Sequence, residues 1–316
     1  MILLLGSSGY IGQAFKTVLD ERGEPYATLP RSEASHAGFS SLTTWLRIHQ
    51  PSFVINAAGY TGKPNVDACE ILKAETLKGN LLWPSVLAHA CSLLQIPYGH
   101  VSSGCIFNGA HVRHATHWKT ETDLSTSAMA ALLRNSPERI RGFSETDIPN
   151  FTFRQPSCSF YSGTKALAEE ALMNLGKGYL WRLRLPFDHW DHPKNYLSKL
   201  LRYERAYYNV NSLSHRLDFA RACLDCWHTK IPFGIYHMTN PGFVSTSEVI
   251  DRIKETLRPK KKFIFWESDA EFYAHAASAP RSNCILETGK LSAAGIHMRP
   301  ITEALEESLT KWTPHD

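Results

Sequence analysis

The chain has 316 residues and little net charge: 34 Lys and Arg against 30 Asp and Glu, a formal +4. So small an excess argues against a nucleic-acid partner. The one basic run, Arg258, Lys260, Lys261 and Lys262, reads as a solvated turn after a helix. No apolar stretch approaches the roughly 18 residues a membrane helix needs, so no membrane association is expected. The opening MILLL is short, lacks a basic n-region and runs into Gly6, so it reads as a first strand and not as a signal peptide. The seven cysteines are odd in number and follow no regular framework, which excludes a disulfide scaffold and suits a reducing cytoplasm. Cys223 and Cys226 form a lone C-x-x-C in a helical run, expected to pack a helix and not to bind zinc or act in redox chemistry. His111, His114 and His117 form H-x-x-H-x-x-H in a polar stretch, but neither cysteine nor acid sits at ligand spacing, so no metal is expected. Internal repeats and low-complexity tracts are also missing.

What remains is an ordinary globular composition, 43% hydrophobic and 20% charged. Apolar strand-like runs at 1–6, 25–29, 53–56 and 97–103 alternate with helix-like stretches at 10–22, 42–49 and 74–94. Alternation of this kind predicts an α/β fold with a parallel sheet covered by helices on both faces. Residues 111–142 break the pattern. They are polar, contain one helical piece at 127–134 and lack strand signals, so they read as an insertion, a candidate lid. Further strands are expected at 179–185, stopped by Pro186, and at 234–239. The final third is smaller and mixed.

Gly6-Ser-Ser-Gly-Tyr-Ile-Gly12 joins the first strand to the first helix. Glycines there allow a tight turn, a close approach of backbone to a pyrophosphate, and close packing of helix on sheet. Amides at the helix start then attract the phosphates. Gly6, Ser8, Gly9, Tyr10, Ile11 and Gly12 are therefore candidate cofactor-binding residues, with Asn56, Ala57, Ala58 and Gly59 at the end of a later strand. After the second strand the chain carries Arg31 and Ser32 where an acid would hold a free ribose hydroxyl. A cation beside a hydroxyl suits a 2′-phosphate, so NADPH or NADP is expected in preference to NADH.

Tyr161 and Lys165 stand four apart in SFYSGTKALAEEAL, a sequence of good helix formers. Positions i and i+4 share a helix face. An ammonium beside a phenol lowers the phenol pKa, which is expected to tune Tyr161 for proton exchange with a carbonyl or alcohol. Of the twelve tyrosines, this is the only one with a lysine four residues on.

Taken together, GSSGYIG, NAAGYTGKPNVDACE, SSGCIF, TDIPNF, SFYSGTKALAEEAL, RLRLP, NYLSKLLRYE, GIYHMTNPG and APRSN resemble the extended short-chain dehydrogenase/reductases. Within them the chain is similar to the dTDP-4-dehydrorhamnose reductase group, and most of all to the bifunctional nucleotide-sugar 3,5-epimerase/4-reductases of UDP-rhamnose synthesis. The resemblance implies a doubly wound Rossmann domain over 1–186 and about 206–240, carrying the insertion at 111–142. It implies a smaller substrate domain over 187–205 and 241–316. It implies a catalytic triad of Ser103, Tyr161 and Lys165, with Tyr161, Lys165 and Pro186 also at the cofactor. The substrate would be a nucleotide-diphosphate sugar, met by Ser103, Gly104, Cys105, Asn195 and Arg281, and the assembly a homodimer. Cys105 and Lys199 match the residues that such enzymes use for 3,5-epimerisation. Two other readings stay open: a 4-reductase or 4-epimerase without 3,5-epimerase activity, and a non-catalytic regulatory subunit on the same fold.

Overall fold

A computed structural model describes residues 1–29, 38–155 and 157–314. Six strands form one parallel sheet: β1 (Ile2–Leu5), β2 (Tyr26–Leu29), β3 (Phe53–Asn56), β4 (Tyr98–Ser103), β5 (Gly178–Leu183) and β6 (Gly234–His237), in the order 2-1-3-4-5-6. β1 and β3 are buried at all four positions, as expected of parallel strands covered on both faces. The chain leaves β1 in one direction for β2 and returns on the other side for β3. The carboxyl ends of β1 and β3 thereby open a crevice at a topological switch point, where open α/β sheets bind ligands.

Helices cover both faces. On one, α1 (Tyr10–Glu21) and a helix at Arg216–His228 bury Phe15, Val18, Leu19, Phe219, Cys223 and Cys226 against Phe53 and Trp181. Cys223 and Cys226 are free, buried thiols in that helix, as expected. On the other face, Leu42, Leu46, Leu87 and Cys91 pack on Leu3, Leu5 and Val54. Each large side chain so buried contributes about 1.5–3 kcal/mol against the entropy of ordering. A separate apolar cluster gathers Leu197, Leu200, Val249, Ile250, Ile253, Leu305 and Leu309.

The insertion differs from expectation. It contains strands Ala110–His114, His117–Glu121 and Ile140–Arg141 in an antiparallel sheet. Ala115 takes a left-handed φ of 52°, which lets His114 pair with His117 across a two-residue turn. The strand signal is hidden because one face is solvated and only Ala110 and Val112 turn inward in the first strand. This sheet and the helix Ser127–Asn135 share an apolar cluster with Val210 and Ile285. His111 faces Asp147 and His114 faces Glu121, and among the described residues no side-chain group could hold a metal ion. No helix among the described residues is long and apolar enough to cross a membrane.

Candidate active site

The glycine turn is built by close approach. Gly6 has φ +75°, and a Cβ there would lie 2.5 Å from the Ala58 amide nitrogen. A Cβ on Gly12 would lie 2.0 Å from the Gly6 carbonyl oxygen, so α1 can start against the turn only with glycine at both places. Ser8 is exposed and Gly9 half-buried at the mouth of the turn. This cradle of uncrowded backbone at a helix N-terminus fits a dinucleotide pyrophosphate. Ile11, in the first turn of α1, packs partly buried against the core.

Two cofactor expectations change in detail. Tyr10 is buried, its hydroxyl donates to Asp188 Oδ1 at 3.0 Å and its ring stacks on His192, so only its backbone remains at the turn. The Asn56 side chain bonds the Ala58 amide and His100 Nδ1, so it shapes the loop while Ala57, Ala58 and Gly59 stay accessible as backbone. Pro186 opens a two-residue strand that pairs with Ser214–His215. Arg31 and Ser32 lie outside the described residues.

β4 ends on Ser103, whose Oγ accepts from the Cys105 amide at 3.1 Å and so starts a 3₁₀ turn over Gly104–Ile106. Tyr161 and Lys165 belong to the helix Phe160–Leu172, capped by Ser159 and held at its start by Glu70, which accepts from the Phe160 amide at 2.7 Å. Ser103 is within hydrogen-bonding reach of the Tyr161 phenol. The three residues expected to form the triad thus come from one strand end and one helix face.

The electrostatics differ from the helix-face argument. Burial pushes the Tyr161 phenol well above the ordinary tyrosine range, and the charge of a Cys105 thiolate would push it further. Ser103 and Arg184 oppose this. The lowering expected from Lys165 is not what sets the phenol, and the Lys165 ammonium donates to the Val101 carbonyl at 3.2 Å. Lys165 itself is held down, to about 8, by burial, with Glu169 and Cys105 acting in the opposite direction. A phenol held neutral is in the state that can give a proton.

Cys105 is half-exposed beyond Ser103, and Arg184 Nη1 donates to its sulfur at 2.9 Å. Lys199 is not a solvated helix lysine. Burial lowers its pKa, and Lys194 and Arg281 lower it further, while Cys105 acts in the opposite direction. Cys105 is thus near enough for its charge to act on the Lys199 amine.

The substrate-side expectations divide. Asn195 is fully buried and caps the helix Tyr196–Arg202. Its amide donates to Asp188 and to the Trp190 carbonyl, and its oxygen accepts from Leu197 N, so with the side chain fully buried the expected substrate contact is corrected. Gly104 is also buried, beneath Leu286 and the Arg184 stem, and acts through the turn it allows. Arg281 forms a two-pronged pair with Asp67 at 2.7 and 2.8 Å, which ties the C-terminal segment to the loop before Ala68. Burial alone would raise the Asp67 pKa, but the Arg281 bond and charge leave it below the usual value.

Two residues at the site went unnoticed in the sequence. Asn80 sits in a π-helical turn, Lys78–Leu82, and bonds both Tyr60 backbone groups and, at 3.4 Å, Thr164 on the catalytic helix. Arg184 lies just past β5. A π-turn has no local signature in helix formers, and a charged residue in a strand run gives no sign of its partner.

The family model described as the RmlD substrate binding domain matches residues 1–313. The chain is 30% identical over 304 residues to a bifunctional dTDP-4-dehydrorhamnose 3,5-epimerase/dTDP-4-dehydrorhamnose reductase of Arabidopsis thaliana, covering 96% of this chain and 90% of that one. It is also 30% identical over 305 residues to a trifunctional UDP-glucose 4,6-dehydratase/UDP-4-keto-6-deoxy-D-glucose 3,5-epimerase/UDP-4-keto-L-rhamnose-reductase of the same plant, covering 96% of this chain but only 41% of that relative's length. The fold matches the crystal structure of the L780 UDP-rhamnose synthase from Acanthamoeba polyphaga mimivirus with a TM-score of 0.81, at 24% identity and 98% coverage of both chains. Solved structures of the same fold hold NADP or NAD.

Proposed function

The chain belongs to the RmlD substrate-binding domain family of NAD(P)-dependent, short-chain-dehydrogenase-type enzymes, and from that premise we propose that it reduces the C4 ketone of a 4-keto-6-deoxy nucleotide sugar after inverting C3 and C5. The observation that supports the reading is the Gly104–Ile106 turn, which joins Ser103, within reach of Tyr161, to Cys105, whose charge acts on Lys199.

When bound, NADPH supplies the hydride that reaches C4. Tyr161 gives its proton to the oxygen as the alkoxide develops, and Ser103 holds that oxygen by a hydrogen bond. Lys165, held against β4 by its bond to the Val101 carbonyl, would hold the nicotinamide ribose by its charge. The Gly6–Gly12 turn takes the pyrophosphate, and the small residues Ala57, Ala58 and Gly59 leave room for the adenosine. Arg31 supports NADPH over NADH, and a clear preference for NADH in a cofactor titration would refute that choice.

A C4 ketone acidifies the hydrogens at C3 and C5. At each centre one of Cys105 and Lys199 takes the carbon-bound proton while the electron pair moves onto the ketone oxygen, and the other returns a proton from the opposite face. The burial of Lys199 favours the neutral amine, the form able to accept. The test is UDP-4-keto-6-deoxy-D-glucose in D2O with Cys105→Ser. Loss of deuterium uptake at C3 and C5 is expected, and unchanged uptake removes the cysteine from the mechanism. If the unaltered chain reduces the ketone without any uptake, it is a 4-reductase alone. The homodimer and the two-lobe division at 186–187 belong to the same reading, the first tested by sedimentation.

A further inference from the structure

Arg182 and Arg184 lie two residues apart, and both are only 2% exposed. Their surroundings differ. Glu169 neutralises Arg182 at 2.7 Å. Arg184 bonds only neutral groups: Nη1 donates to Cys105 Sγ at 2.9 Å, and Nη2 donates to Asn211 Oδ1 and to the Ser282 carbonyl, both at 2.5 Å. Its buried Nε has no partner, and no carboxylate pairs with it among the described residues. A buried cation without a counter-anion is costly to hold.

Of the groups its N–H bonds reach, only the Cys105 thiol can become an anion. Cys284 is also near, but its thiol donates to the Gly104 carbonyl at 3.3 Å and burial raises its pKa, to about 11. The local build supports the arrangement. A Cβ on Gly104 would meet Leu286 at 2.6 Å and the Arg184 Cδ at 3.5 Å, so glycine there lets the arginine stem pass beneath the turn that carries Cys105.

We propose that Arg184 is the positioning residue of Cys105, fixing its sulfur in the cleft by the N–H···S bond and facing it with positive charge whenever its proton is on the sugar carbon. This rests on the acid–base role of Cys105 given above. The sulfur gives or takes only a proton, and the guanidinium keeps all of its own. The fork matters as well as the charge: one prong holds the sulfur while the other is anchored on Asn211 and Ser282, which a lysine cannot reproduce.

The experiment uses the full chain with NADP+ bound and compares Arg184→Met, Arg184→Lys and the unaltered protein. Three rates are read: deuterium uptake from D2O into UDP-4-keto-6-deoxy-D-glucose, reduction of UDP-4-keto-L-rhamnose with NADPH, and alkylation of Cys105 by iodoacetamide at fixed pH, located by peptide mass mapping. For Arg184→Met, uptake is expected to fall on the order of 100-fold. That fall should exceed the fall in reduction at least about tenfold, with alkylation about tenfold slower. Arg184→Lys should lie between. Equal falls in uptake and reduction, or alkylation at the unaltered rate, would overturn the proposal. If Arg184→Met does not fold, Arg184→Lys decides alone, with unaltered rates counting against it. If the unaltered chain takes up no deuterium, the epimerase reading fails, and alkylation still decides whether Arg184 governs Cys105.

Discussion

Lys165 donates to the carbonyl of Val101, 3.2 Å away, from the helix that carries Tyr161 one turn earlier. The ammonium is therefore held against β4, and burial brings its pKa down to about 8.

That value gives a pH prediction. If Lys165 holds the nicotinamide ribose by its charge, NADPH binding should be constant below about pH 7.5 and weaken as pH rises through 8. Fluorescence titration from pH 6.5 to 9.5 checks it, and Lys165→Met should bind weakly with no inflection. Stability runs the other way in the chain without cofactor. Between about 8 and 10.5 the unfolded chain binds more protons at this lysine than the folded one, so its contribution to stability rises with pH across that window.

Tyr161→Phe should lower ketone reduction by roughly 10²–10⁴-fold while leaving the NADPH dissociation constant near its original value. In the proposed reaction the neutral phenol is the proton source, and the ring of phenylalanine fills the same place. Steady-state reduction and a cofactor titration on the same preparation read the two effects separately; near-full activity would remove Tyr161 as the acid.

Glu169→Gln should destabilise the fold by about 3–5 kcal/mol, read in urea unfolding. Arg182 donates to both Glu169 oxygens, and Ser102 donates to one of them at 2.5 Å, so the change leaves a buried guanidinium without its anion. The same carboxylate supports the proton on Lys165, so the NADPH inflection should also move to lower pH.

Asn195→Ala should cost about 1–2 kcal/mol by removing a helix cap. The loss should appear in the unfolding midpoint and leave the substrate KM unmoved, because the side chain faces Asp188, Trp190 and Leu197 and not the cleft.

Legibility followed the range of the interactions. The parallel strands, the glycine turn and the Tyr161 helix were visible because apolar runs, glycine spacing and helix formers are local signals. The strands around His114 and His117 were not, since their polar outer face masks the alternation and their turn uses Ala115 where glycine or asparagine would have marked it. The π-turn around Asn80 was equally silent.

From its order of residues alone, the chain determined the α/β class, the glycine turn and the Tyr161–Lys165 pair, with Ser103, Cys105 and Lys199 marked by family resemblance. Only the tertiary structure decided where the charges and amides are spent: Lys165 on Val101, Arg184 on Cys105, Asn195 on Asp188 and Arg281 on Asp67. The reason is physical. A turn or helix face is set by neighbours a few residues away, whereas a buried polar group is free or committed according to partners that lie up to 214 residues distant in the chain and meet it only when the sheet is closed.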